Sequence, residues 1–115
     1  MRLKSELWVS AYLRRCQSEA VPVVVVHRGN AEAGAIFISV DKLDGTVCLY
    51  GPAPAGLTGS DTDRRWVRCL RDRSATPEDV SVYMARQLDF DSDLWILEVE
   101  DRAGRHFLDN DLVEA

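Results

Sequence analysis

Four consecutive valines, Val23 to Val26, restrict the fold of this chain more than any other feature. Two heavy atoms on each Cβ freeze χ1 and crowd a helical turn, while the same side chains pack well on a pleated surface. Pro22 stops any helix arriving from the N-terminal side, and Gly29-Asn30 marks a turn beyond. The run reads as a strand. It lacks polar alternation, so the expected strand is buried on both faces.

A strand needs partners, and the chain supplies them. Ala35 to Val40 is a second β-rich run. Asp44-Gly45 is a tight-turn dipeptide, and Thr46 to Tyr50 follows it as a third. Arg65 to Leu70 alternates weakly and reads as a fourth. Asp93 to Glu100 is a fifth, apolar enough at its start to lie inside the sheet. Ala103-Gly104 turns the chain, so that His106 to Leu108 is expected as a short edge strand. Two helices complete the pattern. Over residues 6–20, Trp8, Tyr12 and Cys16 recur on one face, with Arg14, Arg15 and Glu19 towards the other. Thr76-Pro77-Glu78-Asp79 combines a capping hydroxyl, proline at the first helical position and first-turn acids; Val80, Tyr83, Met84 and Leu88 then form an apolar stripe. The order αββββαββ predicts an α+β fold: a mainly antiparallel sheet of five to six strands with two helices, in a two-layer sandwich. A single domain is expected over 1–115. Residues 51–63 carry three Gly and two Pro and read as the longest loop.

The formal net charge of -5 argues against general nucleic-acid or anionic-membrane binding, both of which need a positive field. Met1 to Glu6 is too charged for a secretion leader, and Val21 to Val26 is too short to span a bilayer. A cytoplasmic protein is expected. Cys16, Cys48 and Cys69 are odd in number and widely spaced, which suits reduced, buried thiols rather than a disulfide framework.

No catalytic set stands out. There is no Gly-x-Ser-x-Gly elbow, and Gly51, Gly56 and Gly59 lack the lysine and helix start of a phosphate cradle. With no short Cys/His ligand pair, no metal site is expected. Asp89, Asp91 and Asp93 have the opening spacing of a calcium loop, but Ile96 stands where glycine is needed. No cofactor is expected. The residues worth weighing are basic. Arg64, Arg65, Arg68, Arg71 and Arg73 fall close together, and guanidinium is a natural grip for carboxylate or phosphate. They could equally pair with the acids of 89–101. Arg28 and His106 complete the ligand- or partner-binding candidates, with His27 or His106 as proton carrier.

Several stretches form a familiar set: Arg2-Leu3-Lys4-Ser5 with Trp8, Arg14-Arg15, Arg28 to Ala35, Leu49-Tyr50-Gly51-Pro52, Asp93-Leu94-Trp95, Glu100-Asp101-Arg102 and Arg105 to Leu108. In this order, and over nearly the whole chain, they resemble a family of small bacterial proteins, domain of unknown function fourteen-ninety-one. The resemblance implies a proteobacterial cytoplasmic protein. It implies no activity, so no catalytic residue comes with it.

Two functions therefore stand. One is a non-catalytic interaction module, meeting a protein partner or a second copy as a homodimer. The other is a small enzyme or sensor that holds an anionic ligand on the Arg-rich strand. Nucleic acid is disfavoured by the charge, and among the tryptophans only Trp66, beside Arg65, is placed to stack on a base.

Overall fold

The valine run does form a strand, but its neighbour in the sheet comes from the far end of the chain. The computed structural model describes residues 3–54, 64–71 and 74–113. Its elements are α1 (Ser5–Ser18), β1 (Val23–His27), β2 (Ile36–Asp41), β3 (Val47–Pro52), β4 (Trp66–Cys69), α2 (Pro77–Phe90) and β5 (Trp95–Glu100). A single 3-10 turn follows at Asp109–Asp111. The sheet order is β1-β5-β2-β3-β4. β5 is antiparallel to β1 and parallel to β2, while β2, β3 and β4 form the antiparallel part. The fold is α+β, and the sheet is mixed.

The insertion of β5 explains the segment from Arg28 to Ala35. Because β1 and β2 flank β5, the chain between them must cross the start of β5. It does so at very close range. Asn30 N–H donates to Asp93 O at 2.8 Å, and Trp95 Nε1–H donates to Asn30 O at 2.9 Å. A Cβ on Gly29 would lie 2.1 Å from Asp93 O, and one on Gly34 would lie 2.4 Å from the same atom. Only glycine allows the backbones to approach this closely. The Asn30 side chain accepts from the N–H groups of Glu32 and Ala33 and holds the turn.

Both faces of the sheet are covered by helix. Val9, Tyr12 and Cys16 of α1 pack with Ile36, Ile38, Val40, Leu97 and Val99. Val80 and Met84 of α2 pack on the opposite face with Phe37, Val47, Leu49 and Ile96. The expected two-layer sandwich is therefore corrected to helix, sheet, helix. The physical reason is visible in β2 and β5, where residues of both parities are buried, so each face needs its own cover.

Other expectations need correcting at the sheet edges. β1 is not buried on both faces: Val24 is 60% and Val26 51% exposed, because β1 is an edge strand and only its alternate residues face α1. No strand forms over 106–108; that stretch is irregular and leads into the 3-10 turn, and Leu112 makes only an isolated bridge to Trp66. Trp66 is core, 2% exposed, with the half-buried Trp8 tilted against it at 5.0 Å. The Gly/Pro-rich segment lies mostly outside the described residues, at 55–63. Helix α2 starts as expected, with Thr76 and Asp79 exchanging hydrogen bonds in a capping box.

Candidate functional site

Helix α2 covers its face of the sheet only in part. It lies over β3 and leaves β1 and the adjoining side of β5 open, so that a cleft of about 340 Å³ runs between helix and strands. Val26, Ser39, Val47 and Ile96 contribute from the sheet. Val80, Met84, Ala85 and Leu88 contribute from α2. Alternation places Val24 on the same side as Val26, and Val24 stands opposite Glu98 in the register. Asp41 and Glu98 are the only charged residues among the described ones lining the cleft. Glu98 is exposed and forms no ion pair among the described residues. Asp41 holds the following turn by accepting from the Leu43 N–H at 2.8 Å. The cleft is thus apolar at its base and acidic at its rim.

The arginines are not gathered into one site. Arg64 donates to Leu3 O at 2.9 Å and to the buried Ser5 Oγ at 3.0 Å, at the start of α1. Arg28 reaches the same helix end through Glu6 at 3.0 Å, and its guanidinium lies 5.0 Å from the Trp95 ring centroid. Arg65 pairs with Asp111 at 2.8 Å, tying β4 to the C-terminal turn. Arg68 points outward, opposite Tyr50, whose phenol burial pushes up to about 12. Arg71 is described, whereas Arg73 lies outside the described residues. The partners of the Arg64 and Arg65 contacts come from the two chain termini. The acids of 89–101 lie on β5 and on the segments before and after it, and β2 and β3 separate β5 from β4.

His106 sits beneath this layer. Its backbone carbonyl accepts from Tyr12 OH at 2.8 Å, and its ring meets Tyr50 edge-on at 5.0 Å. Nδ1 accepts from the Leu108 N–H at 3.0 Å, which requires that nitrogen to be unprotonated. Burial pushes the imidazole pKa below its ordinary value, while the Asp109 carboxylate pulls it upward. His27 is occupied too, its Nδ1 lying 2.8 Å from Leu94 O. Asp91 accepts from the Asp93 N–H in a simple turn. Among the described residues there is no cluster of three His, Cys, Asp or Glu side chains that could hold a metal.

The cleft residues were not legible as a site in the sequence. Val24 and Val26 are hidden in an unbroken apolar run, and Glu98 is one of two acids in the second half of a strand. The available signal is the alternation Glu98-Val99-Glu100 that follows an apolar run and so marks a sheet face reached by water.

No helix among the described residues is long and apolar enough to cross a membrane. No curated protein matches the chain. Solved structures do. A DUF1491 family protein from Caulobacter crescentus is 34% identical, with a TM-score of 0.80 over 97% of this chain and 98% of that one. The solution structure of a protein from A. tumefaciens is 38% identical, with a TM-score of 0.74 over 87% of this chain and 86% of that one. Both are proteobacterial. The model of a family described as a protein of unknown function, DUF1491, matches residues 3–109. With that match and the shared fold, the chain belongs to the DUF1491 family, for which no activity is assigned.

Proposed function

We propose that this protein is a non-catalytic binding module of the cytoplasm, and that its docking surface is the sheet face left open beside α2. The observation that carries this reading is the exposure of Val24 and Val26 next to a cleft of about 340 Å³. Contiguous apolar surface rimmed by polar groups is what an interaction site requires, because its burial supplies the association energy. The sheet already provides a rigid floor, so little ordering would oppose binding. The three free thiols, two of them buried, suit a reducing compartment.

The test is differential capture followed by reconstitution. A species retained by the wild-type protein, lost with Val26→Asp and shown to bind as purified material would support the reading. If Val26→Asp leaves every such interaction unchanged, this face is not the docking surface. A small anionic ligand on Arg28, Arg64, Arg65 and Arg68 is a weaker reading: these residues are divided among three places, and the first three already contact protein groups.

A further inference from the structure

We infer that the occupant of this face is a cationic amphipathic helix presented by a partner protein; the inference rests on the docking face proposed above. Three features argue for it: width, edge and charge.

Width favours a helix. Neighbouring strands are about 4.8 Å apart, so β1 lies roughly 14 Å from β3. Helix α2 sits over β3, and an α-helix with its side chains is about 10–12 Å across. The uncovered strip over β1 and β5 therefore has room for one further helix beside α2. Such a helix would complete the layer that α2 begins, burying i, i+3, i+4 and i+7 side chains on Val24, Val26, Ile96 and Leu88.

The edge disfavours an added strand. β1 has a free side, but its pairing with β5 is irregular between Val25 and His27, and Pro22 immediately precedes it. Bulges and prolines are the devices by which edge strands avoid further pairing.

Charge sets the sign. Asp41 and Glu98 rim the cleft without a basic residue among its described lining, and Glu100 is a further exposed acid on β5. A second copy of this chain would bring the same acids, and a net charge of -5, against them. Lysine or arginine flanking an apolar stripe would instead find complementary carboxylates.

The experiment uses the full chain and two 18-residue peptides with the same leucine face, one carrying lysine and the other glutamate. Amide chemical shifts locate binding, and peptide circular dichroism reports helix formation. The Leu/Lys peptide should bind as a helix and perturb Val24, Val26, Ile96, Glu98 and Ala85. Its affinity should drop about tenfold in the Asp41→Asn/Glu98→Gln variant and should weaken with salt. The Glu98→Lys variant should gain binding of the Leu/Glu peptide at the same face. If both peptides bind there equally, or Glu98→Lys changes neither, the cationic partner is overturned and the docking face stands. Binding without helical signal, with new protection of the Val23 and Val25 amides, would overturn the helix in favour of an added strand. If neither peptide at millimolar concentration shifts this face, both the partner class and the docking face fall.

Discussion

Val24 of β1 stands opposite Glu98 of β5 on a part of the sheet that α2 leaves open. A valine and a carboxylate side by side in water are of little use to the isolated fold. The valine gains little from burial at 60% exposure, and the carboxylate makes no ion pair among the described residues. Stability and docking should therefore separate at this face.

Val24→Thr and Val26→Thr should each change unfolding free energy by less than about 0.5 kcal/mol, because both side chains already face solvent. Leu97→Ala, at a fully buried position of the neighbouring strand, should cost about 2–5 kcal/mol through lost transfer energy and a cavity. Urea denaturation of the three variants checks the contrast. A large loss at Val24 or Val26 would mean that the face is covered in solution.

Gly34→Ala should be strongly destabilising, since the new methyl group would meet Asp93 O at 2.4 Å. The clash lies at the crossing over β5, so the damage should centre on β1, β2 and β5. Hydrogen exchange should show faster opening of Val24, Phe37 and Leu97 amides than of Leu49.

His106 should make stability depend on pH below neutrality. Burial lowers its pKa in the folded protein, so the unfolded chain takes up the proton more readily. The stabilising contribution is whole above the ordinary histidine pKa of about 6.5 and is lost as pH falls from there through the folded-state value. Thermal midpoints measured between pH 7 and pH 5 should fall in the wild type. They should fall less in His106→Asn, whose amide oxygen can still accept from Leu108 N–H without titrating.

Arg64→Ala should cost about 1–3 kcal/mol, because it removes charged donors to Leu3 O and the buried Ser5 Oγ. Arg68→Ala should remain within about 0.5 kcal/mol, as expected for an exposed charge. Denaturation midpoints of the two variants decide whether neighbours in sequence have such different roles.

Ala20→Gly should stabilise the protein by up to about 1 kcal/mol. Ala20 follows the end of α1 with φ +58, a left-handed conformation that glycine adopts without steric cost. Its N–H donates to Gln17 O at 3.0 Å, so the turn is already formed. A higher thermal midpoint is the expected reading.

The sequence by itself determined what local chemistry can determine. The Thr76-Pro77 cap, the Asp44-Gly45 turn and the five β-rich runs each act over a few residues, and each lies where the pattern placed it. Charge and motif absence limited the function in the same way. Tertiary structure alone decided the rest. Whether β5 pairs with its chain neighbours or enters between β1 and β2 depends on contacts some 70 residues apart, to which no short pattern is sensitive. That insertion puts β1 at the edge, which exposes two of four chemically identical valines. It also places β5 and its acids away from β4, while Arg64 and Arg65 beside β4 contact Ser5 and Asp111. Side-chain identity sets what a residue can do, whereas its neighbours across the sheet set which face it shows to water.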